Sequence, residues 1–171
     1  MQQRRTMRIF VSYSHKDTPW LRRIQTVFEP LVRNSGVDLW ADDRISPGLA
    51  WRDELAGALR SAKLALLLVS PDYLASPFIA ENELPPLLDA AKSRGLSIFW
   101  ISVSASLYKE TPLVHFQAAN DPSRPLDSLP RHKVRERYAN HRGVLLRGRN
   151  RVKACDSSHV ADLPLVGQPI G

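Results

Sequence analysis

"LALLLV", residues 64–69, is an unbroken apolar run between Lys63 and Ser70. A strand with one wetted face alternates apolar and polar residues, whereas a strand covered on both faces does not, and such strands belong to parallel sheets flanked by helices. The run is far shorter than the roughly 20 apolar residues of a membrane-spanning helix. It therefore predicts a central strand of an α/β sheet.

The flanking sequence agrees. Toward the N-terminus, Trp51, Leu55, Ala58 and Leu59 mark a helix, and "VDLWA" at 37–41 reads as a strand. Between these lies "DDRISPG" at 42–48, a loop by its Pro-Gly turn chemistry. Earlier still, Trp20, Leu21, Ile24, Val27, Phe28, Leu31 and Val32 share one helical face. Asp17 is placed to cap that helix, Pro30 to kink it and Asn34-Ser35-Gly36 to stop it. "RIFVSY" at 8–13 is the first strand. Toward the C-terminus, "SPDYLASPFIAENELPPLL" at 70–88 reads as a helix broken by Pro85 and Pro86, and "LSIFWISV" at 96–103 as a fourth strand. Residues 104–130 suit a last short helix or edge element. Strands alternating with helices over short connections predict a doubly wound α/β parallel sheet of about five strands, with ligands bound beyond the carboxyl ends of the strands.

At 171 residues, 43% hydrophobic and 24% charged, the chain suits one globular domain with a tail. The formal charge of +7 is unevenly spread. Residues 1–130 carry 15 Lys and Arg against 14 Asp and Glu, residues 131–153 carry nine against one, and residues 154–171 carry none against two. We therefore expect a domain over 7–130 and a basic, flexible tail over 131–171. Nucleic acid is an expected partner only through that tail, which offers no base-reading or aromatic-rich pattern. Cys155 is the single cysteine, so no disulfide framework forms, and the five histidines lack ligand spacing, so no metal site is expected. The absence of a signal peptide or spanning segment points to the cytoplasm and away from membranes.

Several function classes are excluded. Neither a Rossmann glycine fingerprint nor a Walker A loop occurs, and no serine lies in a nucleophile elbow. A phosphoacceptor receiver domain needs an acidic pair after its first strand and an Asp closing its third; here those strands end in Tyr13-Ser14 and Ser70-Pro71.

"IFVSYSHKD" at 9–17, "VDLWADDRISPGLAWRDEL" at 37–55, "LALLLVSPDYLASPFIAENEL" at 64–84 and the strand at 97–100, in this order and spacing, resemble a bacterial TIR (Toll/interleukin-1 receptor) domain. The resemblance covers about residues 7–130 and implies a flavodoxin-like sheet of five parallel strands. It implies one of two functions: hydrolysis of NAD+ at the nicotinamide–ribose bond, giving ADP-ribose or a cyclic product in bacterial defence or signalling, or a non-catalytic adaptor acting by TIR–TIR contact. NAD+ is then a substrate, and no cofactor is expected. Partners implied are NAD+, other TIR domains by self-association, and any sensor carried on a separate polypeptide.

The family's catalytic glutamate follows an aromatic and precedes an apolar residue, a pattern that falls on Phe78, Glu83 and Leu84. Glu83 lies five residues after Phe78 where four is usual, Ile79 stands where a Cys is common, and Phe78 where Trp is commoner. The chemistry suits a carboxylate, because nicotinamide leaves neutral and the barrier is an oxocarbenium-like ribose that a nearby negative charge stabilises. Glu81 and Glu83, two positions apart on a helix, point about 200° from one another. One of them faces a pocket, and Leu84, Leu87 and Leu88 beside Glu83 favour Glu83. Pro85 and Pro86 are expected to end the helix there and fix the pocket's rim. The resemblance also assigns substrate binding to Trp51, which would stack on the nucleotide, and to Phe78. Tyr13, Ser14 and Lys16 leave the first strand where a ligand would sit, with Lys16 facing a pyrophosphate. Asp42, Asp43, Arg44, Pro47 and Gly48 form the loop that mediates contact between domains in this family.

Overall fold

The computed structural model describes residues 6–41, 51–130 and 133. Strands β1 (Met7–Tyr13), β2 (Val37–Ala41), β3 (Ala62–Val69), β4 (Ser97–Ser102) and β5 (Gln117–Ala118) form one sheet in the order β2-β1-β3-β4-β5. Every pairing is parallel. Helices α1 (Thr18–Ser35), α2 (Trp51–Ser61), α3 (Pro71–Leu74) and α4 (Leu84–Arg94) make the crossovers.

The run at 64–69 is central, and its lack of alternation has a simple cause. Leu64, Leu66 and Leu68 pack with Ile9, Val11 and Tyr13 of β1 against Leu21, Ile24, Phe28 and Leu31 of α1. Ala65, Leu67 and Val69 point the other way, with Phe10 and Trp100, toward Leu55 and Leu59 of α2 and Leu87 and Ala90 of α4. Each face of β3 is thus a core. Helices α1 and α4 end at Gly36 and Gly95, both with positive φ (63° and 67°). A Cβ at either would meet nothing within 4 Å, so glycine is needed there for backbone conformation and not for space.

Pro30 sits inside α1, which runs on to Ser35 and stops at Gly36 as expected. One expectation needs correction. The proline pair does not end a helix: it begins one. A π-helical turn, Ile79–Glu83, precedes α4, with the Leu84 N–H bonded to the Ile79 carbonyl. Pro85 and Pro86 fall in the first turn of α4, directly after that π turn, and the helix runs on through them to Arg94.

The edge strand β5 is two residues long, and residues 104–130 otherwise hold short 3₁₀ turns. The amide of Asn120 extends its ladder. It accepts from the Ser102 N–H at 2.8 Å and donates to the Ser102 carbonyl at 3.0 Å, imitating a backbone partner. Asp42, Asp43, Arg44, Pro47 and Gly48, and the tail apart from Lys133, lie outside the described residues.

Candidate functional site

In this strand order the direction of winding reverses between β1 and β3, and ligands of such sheets bind at the carboxyl ends of those two strands. Four buried polar side chains, Ser12, Asp17, Ser70 and Glu83, gather there with the buried Tyr73. Ser12 follows Phe10 at a two-residue step and so lies on the α2/α4 face of β1. Its hydroxyl donates to Glu83 Oε2 at 2.6 Å and lies 3.0 Å from the Tyr73 hydroxyl.

A second pair closes the site from behind. Ser70, the residue after β3, caps α3 by accepting the Tyr73 N–H at 3.0 Å. Its own hydroxyl donates to Asp17 Oδ2 at 2.5 Å. Asp17 precedes α1 but makes no side-chain cap to it, contrary to expectation. Its carboxylate is turned instead toward the end of β3. Burial raises the Asp17 pKa; the Ser70 bond opposes this, and the Asp72 charge adds to it. Burial also pushes the Tyr73 phenol well above its ordinary value, with the Ser12 bond opposing and the Glu83 charge adding.

The two candidate carboxylates are separated as helix geometry requires: Glu81 is exposed, and Glu83 is 1% exposed. The π turn holds the extra residue between Phe78 and Glu83. Those two residues do not face the same way, since Phe78 is 45% exposed while Ile79, four before Glu83, is buried. Tyr13 is not beside Glu83 either. It points to the α1 face, packed in that core and edge-on to His15 at 5.8 Å. Ser14 is buried, and its carbonyl accepts the Asp17 N–H at 2.7 Å. Lys16 is exposed and pairs with Asp72 at 2.7 Å, a surface contact linking the β1 exit to α3. Trp51 opens α2.

Sequence reasoning gave Ser12, Tyr73, Asp17 and Ser70 no place in the site. The available signal was polarity out of pattern: Ser12 lies within the apolar strand "IFVSY", and Ser70 directly follows the apolar run of β3. Among the described residues, no group of three or more His, Cys, Asp or Glu could hold a metal ion. No helix among them is long and apolar enough to cross a membrane.

The family model of the TIR domain matches residues 9–129. The uncharacterized protein y4lF of Sinorhizobium fredii is 24% identical over 122 residues, which is 71% of this chain and 38% of that protein. The chain thus spans well under half the length of that relative. The crystal structure of the TIR domain of the Toll-related receptor TRR-2 from Hydra magnipapillata superimposes with a TM-score of 0.54 at 19% identity. That alignment covers 83% of this chain and 98% of the receptor domain. The TIR domains of the activated Roq1 resistosome align at a TM-score of 0.46 and 20% identity, over 84% of this chain and 80% of theirs. The family match runs from β1 past β5, taking in the sheet and the polar cluster at its mouth, and the chain belongs to the TIR-domain family.

Proposed function

We propose that this TIR domain hydrolyses NAD+ at the nicotinamide–ribose bond, with Glu83 as the catalytic residue. The observation that carries the reading is a buried carboxylate, held by Ser12, at the β1/β3 mouth where sheets of this order bind ligands. In the reaction the ribose C1′–nitrogen bond breaks and its electron pair leaves with neutral nicotinamide. The positive charge that grows on the ribose is stabilised by the Glu83 carboxylate, most strongly in a water-poor site. Water then adds to C1′, giving ADP-ribose and a proton; capture by the adenine ring instead gives a cyclic product. In this reading Lys16, once released from Asp72, meets the pyrophosphate, Trp51 stacks on the nucleotide and Phe78 lines the rim.

With Glu83 only 1% exposed, substrate reaches it after the elements over it rearrange. That favours an enzyme switched on by assembly through the loop of Asp42, Asp43, Arg44, Pro47 and Gly48. The test is free nicotinamide released from NAD+ by the full chain over a range of protein concentrations. Release that rises faster than linearly with enzyme, and vanishes in Glu83→Gln, is expected. Intact NAD+ at every concentration refutes the reading. The same occlusion favours a second reading, a non-catalytic adaptor that binds other TIR domains; self-association without NAD+ consumption would establish it.

A further inference from the structure

Ser12 lies 71 positions before Glu83 and 61 before Tyr73, yet the three meet inside the protein, each of them buried. The direction of their hydrogen bonds follows from proton count. A serine hydroxyl has one proton and an ionised carboxylate has none. The Ser12 proton goes to Glu83 Oε2 at 2.6 Å, so at the 3.0 Å contact Ser12 Oγ accepts and the Tyr73 phenol donates. A buried phenol that holds its proton tightly suits that role. The chain runs from Tyr73 Oη through Ser12 Oγ to Glu83 Oε2. Its far end is fixed, because the Tyr73 N–H is capped by Ser70, which is itself tied to Asp17.

We propose that Ser12 and Tyr73 are positioning residues for Glu83, holding its carboxylate in one orientation through the one-way chain Tyr73 Oη to Ser12 Oγ to Glu83 Oε2. The proposal rests on the reading of Glu83 as the catalytic residue. A π turn is a looser support than an α-helical one, and turns of this kind recur at functional sites. Here the carboxylate on such a turn is steadied from the rigid sheet. Two strands and a capped helix set its geometry, and its own helix alone does not. Misplacing a reacting group by about 1 Å costs on the order of 10²-fold in rate, so the hydroxyl that bonds Glu83 directly should matter most.

The experiment uses the intact 171-residue chain with Tyr73→Phe, Ser12→Ala, Ser12→Thr and Glu83→Gln. Proton NMR reads the Ser12 and Tyr73 hydroxyls, which burial should protect from exchange. Tyr73→Phe should remove one signal and shift the other, and Glu83→Gln should shift the Ser12 signal. Steady-state NAD+ cleavage should show kcat down roughly tenfold in Tyr73→Phe and about 10²-fold in Ser12→Ala, with KM little changed. Ser12→Thr, which keeps the hydroxyl, should recover most of the loss. Folded Ser12→Ala and Tyr73→Phe proteins with parental kcat would overturn the proposal, as would hydroxyl protons that ignore the Glu83→Gln change. Should Ser12→Ala fail to fold, Tyr73→Phe decides alone. A parent that releases no nicotinamide while its hydroxyl signals respond as described refutes the hydrolase reading and leaves the orienting chain supported.

Discussion

Replacing Glu83 by alanine and by glutamine should separate its chemistry from its packing, because the two variants disturb different groups. Glu83 is 1% exposed and accepts the Ser12 hydroxyl at 2.6 Å. Alanine removes that acceptor and leaves the Ser12 hydroxyl buried with its strongest partner gone, a cost of about 1–3 kcal/mol. The truncated side chain also leaves a void at a buried position, although losing a buried charge offsets part of both costs. The net expectation is roughly 2–4 kcal/mol of destabilisation. At about 2–4 °C per kcal/mol this lowers Tm by on the order of 5–15 °C. Glutamine keeps volume and an amide oxygen for Ser12 while discarding the charge, so its stability should lie within about 1 kcal/mol of the parent. Nicotinamide release should vanish in both. Thermal and urea unfolding, followed by circular dichroism, measure the first quantity and chromatography the second. Alanine as stable as the parent, or glutamine worse than alanine, would refute the packing argument; a folded glutamine variant with full release would refute the chemistry.

Asp17→Asn keeps an acceptor for Ser70 and removes a titration. Because burial raises the Asp17 pKa above 3.8, its contribution to stability is fully present below that value and is lost as pH rises through the higher folded value. The Asn variant should therefore gain on the parent between those limits in paired urea titrations, and a pH-independent difference would refute this. Gly95→Ala should cost about 1 kcal/mol in unfolding free energy, since φ of 67° disfavours a Cβ although nothing blocks it. A chain ending at Pro130 should fold and keep any NAD+ cleavage, because it retains Leu126 and Leu129, which pack on the α1 side of the core; an insoluble product would move the domain boundary. Reversing Asp43 and Arg44 should lower specific activity and flatten its concentration dependence, measured by nicotinamide release across a dilution series.

The sheet was legible because hydrophobic burial leaves its period in the sequence. Leu64 to Val69 reads as doubly covered because both faces of β3 are core, and the α1 face carries a regular stripe. The edge was not legible for an equally physical reason. A two-residue β5 has no room for a pattern, and its ladder is continued by the side chain of Asn120. Prolines were misread because their effect depends on phase. Pro85 and Pro86 interrupt a helix in its middle but suit its first turn, and only the π turn at Ile79–Glu83 sets which applies. The burial of Glu83 in place of Glu81 was legible from the leucines that follow it at 84, 87 and 88. Ser12 and Tyr73 were not, since a serine and a tyrosine 61 positions apart gain a common role only when β1 and α3 are brought together.

The cost of Glu83 is itself an argument about its purpose. Ile79 and Leu87, four positions before and after it, are apolar and buried, so an apolar residue at this position would extend the α4 face of the core. Taking a carboxylate out of water costs several kcal/mol, and the hydrogen bond from Ser12 returns only part of it. Folding alone would thus be served at least as well by a leucine here, with alanine for Ser12 and phenylalanine for Tyr73. The sequence instead places three polar groups together at the one point of the sheet where ligands of this strand order bind. Polar groups that a fold does not need, gathered at a ligand-binding edge, are what the proposed role of Glu83 requires: a structural carboxylate would be expected anywhere on this sheet, whereas a reacting one is expected where Glu83 stands.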